Sequence, residues 1–151
     1  VTFVDSEGFE KSSAAELAGS IRDSAKLAQA YASATTAKIA VVTGKAYGSA
    51  YVALASTAAG SDFTFAWEGA VIAPTTPEAA VVFLNGVSED NAKQAQEYAD
   101  NEADAFTAAA NGYVDRVITA EDTKSALTSA IEATSSKRVV TPAKKHVNFV
   151  Y

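Results

Sequence analysis

Apolar positions along the chain alternate between short β-branched runs and longer stretches with helical spacing. Val1-Thr2-Phe3-Val4 has the content of a short buried strand, and Ser6-Glu7-Gly8-Phe9 has the composition of the turn that ends it. Ser13-Ala14-Ala15-Glu16 fits a capping box. Leu17, Ile21, Ala25, Ala28 and Tyr31 then recur at helical intervals, so one helix is expected to about residue 34. Lys38-Ile39-Ala40-Val41-Val42-Thr43 predicts a second buried strand ending at Thr43. A glycine-bounded turn follows from Gly44 to Gly48, and a helix from Ser49 to Ala55.

Phe63-Thr64-Phe65-Ala66-Trp67 and Ala70-Val71-Ile72-Ala73 read as two short strands separated by Glu68-Gly69. Thr76 as N-cap and Pro77 at the first helical position start a helix that carries Ala79 to Leu84. Ser88 to Asp90 caps a polar, alanine-rich helix from about Asn91 to Ala110, which Asn111-Gly112 stops. Tyr113 to Ile118 predicts a strand. A helix then starts at Thr119 or at Glu121-Asp122 and runs to about Ala133, before a serine-rich joint and a basic, extended tail containing Pro142. This alternation predicts an α/β fold with mainly parallel strands, over residues 1–136, followed by a tail over 137–151.

The 151 residues, 48% of them hydrophobic, are enough for one domain with a real core. No apolar run reaches the roughly 18 residues of a membrane span. A net charge of −6 with only 12 Lys and Arg residues disfavours a nucleic-acid surface. Without cysteine there are no disulfides, thiolate nucleophiles or Cys-based zinc sites, and the single His146 cannot form a histidine metal cluster. No metal is expected. Acidic Asp5 and Glu7 directly after the first apolar run argue against a signal peptide, so a cytoplasmic location is expected. The chain lacks Met and opens within a strand pattern. That predicts a fragment, a processed chain or one piece of an assembly, with the exposed edge at Val1 to Val4 paired to something else.

Candidate chemistry centres on Gly44-Lys45-Ala46-Tyr47-Gly48-Ser49-Ala50-Tyr51. A strand-turn-helix junction aims free backbone N–H groups and the positive end of a helix dipole at one point, which suits an oxyanion or a polarised carbonyl. Gly48, Ser49 and Ala50 are small enough to let a substrate oxygen approach. Equally, small residues here let a helix pack tightly on a sheet. Ser49 as nucleophile would need a base, and His146 lies far along the sequence in a basic tail; the turn is not a Gly-x-Ser-x-Gly elbow. Glu78 is explained by its place in the first turn of a helix, Asp5 and Glu7 by a solvated turn, and Glu89 to Asp104 by a wet helix face. Trp67 and the pair Phe63 and Phe65 read as core before they read as a stacking platform.

Four blocks in order carry a resemblance: Phe3-Val4-Asp5-Ser6-Glu7-Gly8-Phe9, Lys45-Ala46-Tyr47-Gly48-Ser49-Ala50-Tyr51, Asn111-Gly112-Tyr113-Val114-Asp115-Arg116-Val117-Ile118 and Lys144-Lys145-His146-Val147-Asn148. Phe65-Ala66-Trp67 followed by Pro77-Glu78-Ala79-Ala80-Val81 agrees with them. The chain resembles the C-terminal part of the carboxyltransferase component of biotin-dependent acyl-CoA carboxylases and decarboxylases, which have the ClpP/crotonase-like fold. The resemblance implies a fold incomplete at its N-terminus. It implies that the backbone N–H groups of Ser49 and Ala50 form an oxyanion hole for the ureido oxygen of biotin, with Gly48 keeping the approach open. By the same resemblance Gly48, Tyr51 and Val52 contact biotin or substrate, and Val52 shapes the acyl pocket.

The implied reaction moves a carboxyl group between carboxybiotin and an acyl-CoA, and its catalysis rests on two stabilised oxyanions rather than a side-chain nucleophile. The implied partners are a biotin carboxyl carrier protein and an acyl-CoA-binding half or subunit, in an oligomer; no activity is expected of this chain alone. Ser49 stands where many family members have Gly, and Val147 replaces the Gly usual after Lys-Lys-His. A non-catalytic assembly subunit is therefore the second reading. A crotonase-type hydratase or isomerase is a third, for which no acid/base pair stands out.

Overall fold

A computed structural model of the chain describes residues 1–140. Pro142, Lys144, Lys145, His146, Val147 and Asn148 lie outside the described residues. The element order is β1 (Thr2–Ser6), α1 (Ser13–Ala18), α2 (Ser20–Ser33), β2 (Ile39–Tyr47), α3 (Gly48–Ala55), a short 3-10 turn (Thr57–Ala59), β3 (Phe63–Trp67), β4 (Val71–Ala73), α4 (Pro77–Asn85), α5 (Asn91–Asn101), α6 (Ala105–Ala110), β5 (Arg116–Ile118) and α7 (Thr123–Thr134). The strands form one parallel sheet in the order β1-β2-β3-β5, with β4 joined to the end of β2. The α/β architecture and parallel sheet follow the sequence pattern.

The central strand explains why the sheet has this shape. Ile39, Ala40, Val41 and Val42 are all buried, as a continuous apolar run must be when helices cover both faces. Its first half pairs with Phe63–Ala66 of β3, and its last residues, Lys45 to Tyr47, pair instead with Val71–Ala73 of β4. The register against β1 shifts between Val4 and Ser6, at the level of this change of partner. The strand therefore does not stop at Thr43. Gly44 to Tyr47 is strand, and the turn into α3 is reduced to Gly48.

Two further boundaries differ from the helical periodicity. The helix expected from Ser13 is broken at Gly19, whose φ of 92° ends α1 and opens α2, and its N-cap is Ser12, whose Oγ accepts from the Ala15 N–H at 3.1 Å. The helix expected over 91–110 is broken where Ala103 is buried against Tyr47 and Ala73. Asp104 then caps α6 by accepting from the Phe106 and Thr107 N–H groups at 2.7 and 2.9 Å. The last strand covers only Arg116–Ile118, because Asp115 already binds β3 through its side chain: its Oδ2 accepts from the Thr64 N–H at 2.7 Å.

Alanine-rich helices pack close on each face of the sheet. Val4, Val42, Ala46, Tyr51, Ala66 and Val114 form the core on the α3 side, and Ile39, Val41, Phe65, Ile118, Ala126 and Ala130 form it on the α7 side. Phe63 and Phe65 stack with ring centroids 6.1 Å apart beside this second cluster, and Trp67 Nε1 donates to Thr123 Oγ1 at 2.9 Å. These aromatics belong to the core. No helix among the described residues is long and apolar enough to cross a membrane.

Candidate active site

The first turn of α3 is the centre of the candidate site. Tyr47 occupies its N-cap and provides no side-chain hydrogen bond to it. The amides of Ser49 and Ala50 are thus donors that the helix itself does not consume, at the positive end of its dipole. Gly48 has a φ of 60°, and a Cβ there would lie 3.1 Å from the Pro74 carbonyl oxygen, so the tight entry into the helix requires glycine.

Two apolar clefts flank this turn. The first, about 270 Å³, is bounded by Gly48, Tyr51, Val52, Ile72, Pro74 and Tyr113. The second, about 420 Å³, lies between α2 and α3, with Phe9, Ile21, Ala28, Ser49, Val52 and Ala53 among its walls. Val52, 50% exposed, is the residue shared by both. Ser49 is in the wall of the α2 cleft and not in that of the cleft on the Tyr113 side.

The other expected residues have distinct places. Ala50 is buried and is in the wall of neither cleft. Tyr51 is buried too, with its hydroxyl donating to the Tyr113 carbonyl at 2.7 Å. Burial, reinforced by the charge of Asp115 and by Tyr113, pushes the Tyr51 pKa up to about 12. Its phenol is a neutral structural donor in the wall of the first cleft.

Sequence reasoning did not place Tyr113, Ile72, Pro74 or Phe9 at the site. They come from three segments, Phe9 after β1, Ile72 and Pro74 in and just after β4, and Tyr113 after α6, and only the β2–β4 pairing and the return of the chain after α6 bring the last three to α3. The signal available was the small-residue helix start alone. Asp5 and Glu7, expected in a solvated turn, both bind Lys45: Asp5 Oδ1 accepts from its N–H at 2.8 Å and Glu7 from its ammonium. Among the described residues, no group of three or more His, Cys, Asp or Glu side chains is arranged to hold a metal ion.

Chemically, an uncapped helix start of this kind can offer backbone donors to one carbonyl oxygen, beside clefts with apolar walls. The carboxyl transferase domain family matches residues 1–149. The chain is 39% identical over 148 residues to the mitochondrial propionyl-CoA carboxylase beta chain of Rattus norvegicus, covering 98% of this chain and 27% of that protein. It is 39% identical over 157 residues to the methylmalonyl-CoA carboxyltransferase 12S subunit of Propionibacterium freudenreichii subsp. shermanii, covering 99% of this chain and 30% of that one. A crystal structure of transcarboxylase 12S, described as a hexamer assembly with methylmalonyl-coenzyme A and methylmalonic acid bound, superimposes with a TM-score of 0.91 at 39% identity, over 99% of this chain and 30% of that chain. The chain thus spans less than a third of the length of these relatives. Its fold is crotonase-like, and the chain belongs to the carboxyl transferase domain family.

Proposed function

We propose that this chain supplies the biotin side of a carboxyl-transfer site in a biotin-dependent acyl-CoA carboxylase or decarboxylase. The observation that supports this reading is the uncapped first turn of α3, which stands between two apolar clefts. A ligand with one strongly accepting oxygen on a largely apolar bicycle fits that arrangement, and biotin has that form. When bound, biotin supplies the nitrogen that carries the carboxyl group. The Ser49 and Ala50 amides hold and polarise its ureido oxygen, Gly48 leaves the approach open, Tyr51 fixes the wall behind it, and Val52 sets the boundary towards the acyl group.

The rest of the site comes from elsewhere. An acyl-CoA-binding half or subunit and a biotin carboxyl carrier protein are the partners, the working form is an oligomer, and the reaction is placed in the cytoplasm. Removing one oxyanion donor of this kind typically lowers the rate by about 10²–10³.

The test uses the chain in its assembled enzyme. Purification under mild conditions recovers a biotinylated carrier and an acyl-CoA-binding partner, and Ala50→Pro, which deletes one amide, lowers transfer by about 10²–10³ or more while assembly persists. A lone monomer recovered repeatedly, or full transfer by the assembled Ala50→Pro enzyme, refutes the reading. Ser49→Gly retains the amide and serves as the active control.

A further inference from the structure

Tyr113 stands in the wall of the cleft beside α3, together with Gly48, Tyr51, Val52, Ile72 and Pro74, and is 58% exposed. The fold makes use of its backbone. The Tyr113 N–H donates to the Ala108 carbonyl at 2.9 Å, and the Tyr113 carbonyl accepts from the Tyr51 hydroxyl at 2.7 Å. The next residue, Val114, is buried in the core on the α3 side. Asp115 is then tied to β3 twice, its N–H donating to the Thr64 carbonyl at 2.9 Å and its Oδ2 accepting from the Thr64 N–H at 2.7 Å. Among the described residues, the Tyr113 side chain belongs to none of the buried clusters, on either face of the sheet or around Tyr47.

An aromatic side chain offers a large contact area with only two torsions to fix, so on a pinned backbone it loses little entropy when a ligand covers it. The other walls of this cleft, Val52, Ile72 and Pro74, are apolar and suit a ligand with an apolar body. Gly48 bounds the same cleft at the start of α3, so a ligand with its oxygen at that helix start and its body in the cleft meets Tyr113. The α2 cleft shares Val52 but not Tyr113. A contact with Tyr113 therefore distinguishes the occupant of one side of α3 from that of the other.

Resting on the reading that this chain supplies the biotin side of the site, we infer that Tyr113 is a biotin-contact residue, whose ring packs against the apolar face of the bound bicycle and selects for it. The probe is free biotin, titrated by saturation-transfer NMR into the assembled carboxyltransferase oligomer without its biotin carrier. Tyr113→Ala keeps the carbonyl that Tyr51 binds, and it weakens biotin about tenfold. The melting temperature and the dissociation constant of coenzyme A, followed on the same samples, stay at the parent values. Tyr113→Phe, which restores the ring, recovers most of the lost affinity. Phe106→Ala, a truncation of an equally exposed aromatic in neither cleft, leaves biotin binding unchanged. Should Tyr113→Ala fail to assemble, Tyr113→Leu carries the same test with a loss of several-fold. A parent oligomer that does not bind biotin saturably overturns the biotin-side reading and this inference with it. Saturable binding that Tyr113→Ala leaves intact overturns the inference alone, as do equal losses in Phe106→Ala, a matching loss of coenzyme A affinity, or no recovery in Tyr113→Phe.

Discussion

The hydroxyl of Tyr51 donates to the carbonyl of Tyr113 at 2.7 Å across 62 positions of the chain, and so fastens α3 to the loop that precedes β5. Tyr51 is buried in the core, whereas Tyr113 is 58% exposed beside the first cleft. One bond therefore fixes the backbone of a residue whose ring remains available to a ligand.

Tyr51→Phe removes that bond and keeps the ring. Stability should fall by about 0.5–1.5 kcal/mol, read from urea denaturation near neutral pH. The alkaline limb also changes. With its pKa at about 12 in the folded chain against an ordinary 10.0, Tyr51 retains its proton where the unfolded chain loses it. Its stabilisation is present below pH 10 and is lost as pH rises towards 12. The variant should show a shallower loss of stability between those values than the parent chain.

Gly44 lies against a carboxylate. A Cβ at this position would come 2.5 Å from Asp5 Oδ1 and 2.8 Å from Asp5 Cγ. Gly44→Ala should push that side chain away and sacrifice its bond to the Lys45 N–H, lowering stability by roughly 1 kcal/mol. In the background of Asp5→Ala the same substitution should cost much less. Chemical denaturation of the four chains of this double-mutant cycle checks the coupling.

Asp62 joins the end of the described chain to the rest of the fold. Burial by itself would raise its pKa, but hydrogen bonds from the Lys137 ammonium, at 2.8 and 2.7 Å to its two oxygens, and from the Lys38 N–H hold it below its usual 3.8. Asp62→Asn should cost about 1–2 kcal/mol at neutral pH, where the carboxylate is ionised in both states. The stabilisation is present above the ordinary pKa and is lost as pH falls through the lower folded value. The difference between variant and parent should accordingly shrink below pH 3.8 in acid-titration melts.

The parallel α/β plan was legible because the buried strands are compact apolar runs, such as Ile39 to Val42, and because α4 carries its cap, Thr76, and its Pro77 in the sequence. Boundaries failed where tertiary contacts decide them. Nothing local to Gly44-Lys45-Ala46-Tyr47 announces that β4 will extend the strand, and the glycines around it suggest a turn. The break before α6 had a readable sign in Asp104, three residues before Thr107, but the alanines on either side continue the helical pattern. At the site, the small-residue start of α3 was visible, and its walls were not, since Phe9 and Tyr113 approach it only through packing.

The central claim is that a backbone amide, not a side chain, performs the polarisation at α3. It is tested most directly by incorporating lactic acid in place of Ala50, which exchanges the amide N–H for an ester oxygen and retains the methyl group. The measurement is the rate of carboxyl transfer from carboxybiotin in the assembled enzyme, with assembly and melting temperature followed in parallel. The account predicts a fall in kcat of about 10²–10³ with the oligomer intact. A kcat equal to that of the unmodified enzyme, in an oligomer shown to carry the ester, would contradict it.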